Sequence, residues 1–315
     1  MDWLDFHGAA QQGGSHPITE AIMGRIEKEL LDMARDIGIS PGTSPFSEIR
    51  AEADFYLDLI ASHLNSGEII PAAIARSKEA VEKAAPGKAI RIGFYPVSAD
   101  PFHWAHLLIG LSAIARFKLD KIMYIISGYD ARKPEITSPA IRHPMARSIL
   151  NLFTPLFDYS SAALEGSLDG ESSLFKILSS HQTQRISAFY IAGADHCRRF
   201  DPGTRQPDTV QKMEDHVRGK KYGFDSTKHR ISMIFVRRGV AKCSVDTRLN
   251  VSCMPGVPFE ASSSAIRRTL AGGDKIDRLA LLPYTAYCYI MALGLYGPER
   301  EVERKRGSFR TERVA

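Results

Sequence analysis

The sequence predicts an α/β protein: a Rossmann-like parallel sheet flanked by helices, with an N-terminal helical extension. Four short apolar runs have the length and composition of buried strands, and stretches with helical spacing separate them. Strands that alternate with helices in this way favour a parallel sheet. The strand runs are AIRIGFY (89–95), KIMYIIS (121–127), ISAFYIAG (186–193) and ISMIFVRR (231–238).

The region before the first strand is helical in character. In ITEAIMGRIEKELLDMARDIGI, apolar residues recur at three- and four-residue spacing, and two further stretches, SPFSEIRAEADFYLDLIASHL and PAAIARSKEAVEKAA, continue the pattern up to Pro86-Gly87. We therefore expect an N-terminal helical extension over 1–88, with a loose start over 1–16. Three roles stay open for it: packing on the domain that follows, forming a homo-oligomer, or recruiting a partner.

A second domain is expected over 89–297. Besides the strands, its sequence predicts helices over 104–117, 140–153, 174–181, 263–273 and 285–297. The segment 201–230 is polar and reads as an insertion or a lid. The tail 298–315 is charged and poor in apolar residues, which predicts disorder.

Composition narrows the class of protein. A chain of 315 residues with 44% hydrophobic content can bury a full core, and a net charge of +5 suits an enzyme that handles phosphorylated anions. A dense basic stripe with interleaved aromatic residues is missing, so nucleic acid is not an expected partner. The four cysteines form no C-x-x-C pair, so we expect reduced thiols and no zinc site. Neither a leader peptide nor a membrane span is predicted, so we expect a cytoplasmic protein.

The first candidate site is SADPFHWAH (98–106), which follows the first strand run and opens the next helix. In open α/β sheets, ligands bind at the carboxyl ends of the strands, and helix N-termini attract phosphate. The stretch contains neither G-x-G-x-x-G nor G-x-x-x-x-G-K-[ST], which argues against a dinucleotide oxidoreductase and a P-loop. His103 and His106, three residues apart, can face the same anion. A metal site ranks lower, because no third ligand stands at motif spacing.

The second candidate site is ASSSAIRRTLAGG (261–273), about 160 residues later. Serines at a helix start present hydroxyls and N–H groups to an anion, and Arg267, one turn into the helix, can make forked bonds to phosphate oxygens. Taken alone, the pattern also fits an ordinary capped helix with a surface arginine.

Together the two stretches resemble a known superfamily. I-G-F-Y-P-V-S-A-D-P-F-H-W-A-H is similar, without gaps, to the G-x-F-G-G-[ST]-F-D-P-x-H-x-G-H signature of the HxGH nucleotidyltransferases, and S-S-S-A-I-R is similar to their S-S-T-x-I-R. The branch that the chain most resembles is the nicotinate/nicotinamide mononucleotide adenylyltransferases. Pro96 and Val97 stand where relatives have paired glycines, and Ala105 replaces a third. The resemblance covers roughly residues 89–295.

The resemblance implies roles for individual residues. The catalytic group would comprise His103, His106 and Arg267, which hold and stabilise the triphosphate. Further nucleotide-binding residues would be Ser98 toward the acceptor phosphate, Lys133 on the phosphates, Gly193 and Asp195 on the ribose, and Ser262, Ser263 and Ser264 on the leaving group. Arg142 is a second candidate near Lys133. No protein metal site is implied, and Mg²⁺ would arrive with ATP.

The resemblance is weakest at the acceptor base. Residues 172–178 (SSLFKIL) stand where the family has S-Y-T-I-D-T-L, so the threonines and the aspartate are absent. A ring to stack on the base could come from Trp104, Phe200 or Tyr222.

Three functions therefore remain. The first is transfer of AMP from ATP to a mononucleotide such as nicotinate or nicotinamide mononucleotide, with release of pyrophosphate, as in NAD biosynthesis. The second is cytidylyl or adenylyl transfer to another phosphorylated acceptor, favoured by the altered segment 172–178. The third is a nucleotide-binding module without catalysis, favoured by Pro96-Val97 and Ala105.

Overall fold

The computed structural model describes residues 14–71, 89–128, 136–164, 168–181, 184–197, 200–201, 206–207, 209–237, 245–272 and 276–297. Eight helices run in chain order within these residues: α1 (Pro17–Ile37), α2 (Phe46–Asn65), α3 (Trp104–Phe117), α4 (Pro139–Asn151), α5 (Gly170–Ser180), α6 (Thr209–Arg218), α7 (Ser263–Leu270) and α8 (Tyr284–Ala292). None of them is long and apolar enough to cross a bilayer.

The strands form a six-stranded parallel sheet and a small antiparallel ladder. The sheet has the order β3-β2-β1-β4-β7-β8, and the ladder pairs β5 with β6. Every pairing in the large sheet is parallel, which confirms the predicted α/β class. The strands are β1 (Ile90–Val97), β2 (Lys121–Ile126), β3 (Phe157–Ser160), β4 (Ile186–Gly193), β5 (Phe200–Asp201), β6 (Gln206–Pro207), β7 (His229–Arg237) and β8 (Asn250–Pro255).

Alternation along the strands divides the core between the two faces of the sheet. Along β1, Ile92 and Phe94 belong to one hydrophobic cluster, whereas Tyr95 and Val97 belong to the other. The larger cluster, here called the front core, includes buried side chains of α1, α2, α3, α4, α7 and α8. The smaller one, the back core, includes those of α5 and α6. Each face of the sheet is therefore covered, as a parallel sheet requires.

Gly93 shows why one signature glycine is present. A Cβ at this position of β1 would lie 2.4 Å from Ile122 Cδ1 and 2.9 Å from Leu119 Cδ1. The glycine therefore serves close packing inside the sheet, before any ligand is considered.

The N-terminal helices pack directly on the α/β layer. Side chains of α1 and α2 lie in the front core together with Trp104 and Leu108 of α3. Polar contacts reinforce the packing: the Glu29 carboxylate accepts hydrogen bonds from the backbone N–H of Thr285 at 2.8 Å and from its hydroxyl at 2.7 Å. Glu29 thereby caps the first turn of α8, because that turn leaves N–H groups without partners inside the helix.

Several elements differ from the sequence-based expectation. The polar segment read as an insertion or lid contains α6, in which Val210 and Met213 are buried in the back core. Two edge strands, β3 and β8, were not predicted, since β3 has four residues and β8 exposes three of its six. The third N-terminal helix, from residue 72 onward, and the tail 298–315 lie outside the described residues.

Candidate functional site

The two histidines of the first motif lie at the start of α3. His103 is its N-cap residue and His106 is the third residue of the helix, and the two imidazole rings stack with their centroids 3.8 Å apart. The backbone N–H of His103 donates to Nδ1 of His106 at 3.3 Å. In the neutral His106 ring the proton is therefore on Nε2, which makes Nε2 a donor for an anion. The spacing of three residues brings the imidazoles together as the sequence predicted.

The second motif contacts the first. Ser263 Oγ donates to the carbonyl oxygen of Pro101 at 3.1 Å. The Arg267 guanidinium donates to the backbone carbonyl of Asp100 and lies 3.4 Å from its carboxylate oxygen Oδ2. Its other terminal nitrogen donates to Ser264 Oγ at 3.3 Å. The start of α7 thus meets the loop that leads into α3, although more than 160 residues separate them in the chain.

Ser262 takes a different role from the one expected of a capping serine. It is the N-cap residue of α7, but its side chain makes no capping hydrogen bond. The hydroxyls of Ser263 and Ser264 are the ones that make the contacts described above.

Arg142 is a buried side chain that joins several segments of the chain by hydrogen bonds. Its side chain is fully buried and donates to the carbonyl oxygens of Ser98, Thr137 and Gly128, at 2.8 Å in the last case. A fourth bond reaches the Ser127 hydroxyl at 3.2 Å. Arg142 therefore fixes the loop that carries Ser98, and it does not face a ligand as a phosphate-binding side chain would. Burial lowers the pKa of the guanidinium from its usual value.

Gly193 and Asp195 lie at the carboxyl end of β4, beside the carboxyl end of β1. The parallel register pairs Phe94 with Tyr190, so that the chain after Val97 and the chain after Gly193 leave the sheet at the same edge. The Asp195 side chain is 66% exposed. A Cβ on Gly193 would lie 2.3 Å from Asp195 Oδ1, so the glycine makes room for this carboxylate.

Residues 172–178 form part of α5 and face mainly into the back core. Ser172, Ser173, Leu174, Phe175 and Leu178 are all buried. Ser172 Oγ lies 3.2 Å from Nε2 of His216 on α6. Asp169, the residue before α5, caps the helix by accepting the Ser172 N–H at 2.8 Å, and it pairs with Lys212 at 3.1 Å. The departure from the family pattern thus coincides with a packed helix.

Of the three proposed stacking residues, one is excluded by burial. Trp104, the first residue of α3, is fully buried and packs against Phe153, so the expectation that it could stack on a ligand is wrong. Tyr222 is 39% exposed, in a turn after α6. The side chain of Phe200 and the whole of Lys133 lie outside the described residues.

No sequence pattern points to the partners of Asp100. This carboxylate is 3% exposed and accepts hydrogen bonds from the Tyr296 hydroxyl at 2.6 Å and from the Thr137 backbone N–H at 3.3 Å. Asp100 and Pro101 are part of the first motif, but the distant partners of the carboxylate are visible only in the fold. Three segments of the chain meet at this carboxylate.

The start of α3 carries two stacked imidazoles, and the start of α7 carries an arginine. The two helix starts meet at the carboxyl edge of a parallel sheet. This fold and site define a nucleotidyltransferase of the α/β class. The protein is similar over 191 residues to a probable nicotinate-nucleotide adenylyltransferase of Clostridium botulinum (strain Alaska E43 / Type E3), with 30% identity, 59% of this chain and 89% of the relative covered. The chain belongs to the nicotinate-nucleotide adenylyltransferase family, which confirms the predicted resemblance.

Two further comparisons have lower sequence identity. A probable nicotinate-nucleotide adenylyltransferase of Thermoanaerobacter sp. (strain X514) is 26% identical over 219 residues, which are 67% of this chain and 97% of the relative. The solved structure of Plasmodium falciparum nicotinic acid mononucleotide adenylyltransferase complexed with NaAD is 18% identical, with a TM-score of 0.48 over 66% of this chain and 97% of that one. No protein-family model matches the sequence.

Proposed function

We propose that the protein transfers the adenylyl group of ATP to nicotinate mononucleotide, or to the corresponding nicotinamide nucleotide, and releases pyrophosphate. The observation that carries this proposal is the contact between the two motifs, in which Ser263 and Arg267 bind the Asp100-Pro101 loop that leads to His103. Family membership supports the reaction class, and the names of the curated relatives support nicotinate mononucleotide as the acceptor.

The chemistry needs positioning and charge stabilisation. An acceptor phosphate oxygen attacks the α-phosphorus of ATP in line, the bond to the β-phosphate oxygen breaks, and pyrophosphate leaves. His103 and His106 would bind the triphosphate and stabilise the charge that develops on it, with Nε2–H of His106 as a donor. Arg267, with Ser262, Ser263 and Ser264, would bind the leaving pyrophosphate. No covalent intermediate with the enzyme is required.

The remaining site residues would complete the two substrate positions. Ser98 would face the acceptor phosphate, and Lys133 would neutralise charge on the phosphates. Gly193 and Asp195 would contact the ribose, a role that suits an exposed carboxylate at the end of a sheet strand. Mg²⁺ would enter as part of the MgATP substrate and keep several of its waters. Within the described residues, no cluster of three or more His, Cys, Asp or Glu side chains could hold a metal of its own.

The test is pyrophosphate release from MgATP with a panel of acceptors. We expect turnover with nicotinate or nicotinamide mononucleotide and none with ATP alone. Turnover only with another phosphorylated alcohol, or only with CTP, would replace the proposal by the second function considered above. ATP binding without pyrophosphate release on any acceptor would replace it by a non-catalytic module.

A further inference from the structure

Tyr296 reaches the first motif from the far end of the domain. It follows α8, is 2% exposed, and donates its hydroxyl to Asp100 Oδ1 at 2.6 Å. Thr137 donates to the same hydroxyl at 3.3 Å. The Tyr296 phenol is therefore fixed at both its donor and its acceptor side.

The backbone around Tyr296 is in an unusual conformation. Gly294 has φ +55° and Tyr296 itself has φ +62°, which together turn the chain back after α8. A bulky residue in the left-handed region is strained, and such strain persists only where the surroundings impose it. The burial and the hydrogen bonds of the phenol are the contacts that hold Tyr296 in this conformation.

Asp100 divides its two carboxylate oxygens between different partners. Oδ1 binds Tyr296, whereas Oδ2 accepts the Thr137 N–H at 3.3 Å and lies 3.4 Å from one terminal nitrogen of Arg267. A carboxylate with both oxygens open binds an arginine with two parallel bonds. Here Arg267 meets Asp100 with a single nitrogen, Nη1, whereas its second terminal nitrogen, Nη2, donates to the hydroxyl of Ser264.

We propose that Tyr296 is a positioning residue for Arg267: its hydroxyl occupies one oxygen of Asp100, so that Asp100 anchors Arg267 without capturing both guanidinium nitrogens. The inference rests on the proposed binding of triphosphate by Arg267. Without the phenol, Oδ1 becomes a buried acceptor that lacks its partner, and Arg267, already 3.4 Å from the other oxygen of the same carboxylate, is a cation that can supply a hydrogen bond. The guanidinium then pairs with Asp100 at the expense of the nucleotide.

Burial and the neighbouring Asp100 carboxylate both raise the pKa of Tyr296 above its usual range. The phenol therefore keeps its proton throughout the neutral range and acts as a donor.

The experiment measures the affinity for a non-hydrolysable ATP analogue by calorimetry in the full chain. Tyr296→Phe removes the hydroxyl only, and we expect it to weaken binding about tenfold. In the Arg267→Ala background the same change is expected to have no further effect, because no guanidinium is left for Asp100 to capture. Tyr289→Phe is the matched control: it removes a phenol of α8 that lies 3.1 Å from Ser148 Oγ, and affinity is expected to stay at the wild-type value.

Thermal unfolding of each variant separates positioning from stability. A weaker affinity in Tyr296→Phe at a melting temperature equal to that of Tyr289→Phe supports the inference. Unchanged affinity in Tyr296→Phe, or an equal loss in the Arg267→Ala background, overturns it. Because binding is measured without turnover, failure of the wild type to release pyrophosphate would overturn the proposed function and leave this inference standing.

Discussion

The two faces of the sheet differ in how the site is built. On the front, the helices of both signature motifs, α3 and α7, share one hydrophobic core with the N-terminal helices and α8. On the back, α5 and α6 form a smaller core, and residues 172–178, which depart from the family pattern, lie within α5. The histidines and Arg267 that match the signatures therefore belong to helices of the front core, although Val97 and Ala105 are departures on that same side.

This difference shows which features of the reaction each face would control. The front face holds the two imidazoles and Arg267, which suit a triphosphate common to all members of the class. The back face holds Ser172 and its neighbours, and we expect a change there to affect the acceptor rather than the chemistry. Four predictions test the contrast, in order of decreasing effect.

The largest effect is expected at His106. Its Nε2–H is the proposed donor to the triphosphate, so His106→Ala is expected to lower kcat/KM for pyrophosphate release by about 10²- to 10³-fold. His216→Ala is the matched variant on the back face, where Nε2 contacts Ser172 at 3.2 Å. Its effect should fall on the KM for the acceptor and leave the KM for ATP unchanged. Undiminished turnover in His106→Ala would contradict the front-face assignment.

The second prediction concerns the packing of α5 on the back face of the sheet, at Gly170. A Cβ there would lie 2.6 Å from Pro96 Cβ and 2.7 Å from the Tyr190 hydroxyl, so Gly170→Ala should lower the free energy of unfolding by about 1–3 kcal/mol. Adding Pro96→Gly should recover part of the loss. The control is Gly24→Ala on α1, where nothing lies within 4 Å of the new methyl and a helix gains about 0.5–1 kcal/mol. Equal stability of both alanine variants in denaturant melts would refute the packing argument.

The third prediction tests whether the N-terminal helices belong to the front core. Glu29→Gln weakens two hydrogen bonds at the start of α8 from a buried position, and we expect a loss of about 1–2 kcal/mol in unfolding free energy. Glu27→Gln breaks an exposed ion pair with Arg50 and should change the free energy of unfolding by less than about 0.5 kcal/mol. A loss confined to a separate unfolding step, with the main transition unmoved, would show that these helices fold independently.

The smallest effect is on pH dependence. Burial lowers the pKa of His143 below its usual value near 6.5, and its ring bonds Tyr159 and the Ser127 carbonyl. The unfolded chain therefore binds a proton at a higher pH than the folded one, so stability falls as pH drops through about 6.5. His143→Gln should make the melting temperature fall less steeply as the pH drops from about 7 to about 5. The reduction in slope should correspond to at most one proton taken up on unfolding. The exposed His196→Gln serves as control, and an identical slope in both variants would refute the assignment.

Much of this architecture follows from local sequence. The four apolar runs predicted the central strands, and His103, His106 and Arg267 stand out as candidates because strand ends and helix starts carry recognisable patterns. Helix α6 was missed because its buried residues Val210 and Met213 are embedded in a polar stretch, so that tertiary packing outweighs composition.

Other features depend on contacts that a local pattern cannot show. The motif made Arg142 a candidate phosphate ligand, but its guanidinium donates four hydrogen bonds to atoms of three loops. Pro96 stands where relatives have a glycine. Its effect on packing depends on its proximity to Gly170, which is distant in the sequence. Tyr296 carried no motif signal, because its partner Asp100 lies 196 positions away.

The most direct test of the contrast between the faces is the affinity for a non-hydrolysable ATP analogue in His106→Ala and Lys212→Ala, each compared with the wild type. Lys212 lies on α6 and pairs with Asp169, so its removal changes a charge on the back face. The account predicts at least about tenfold weaker binding in His106→Ala, since a charge-assisted hydrogen bond is lost, and wild-type affinity in Lys212→Ala. Equal losses in the two variants, or a loss in Lys212→Ala alone, would contradict it.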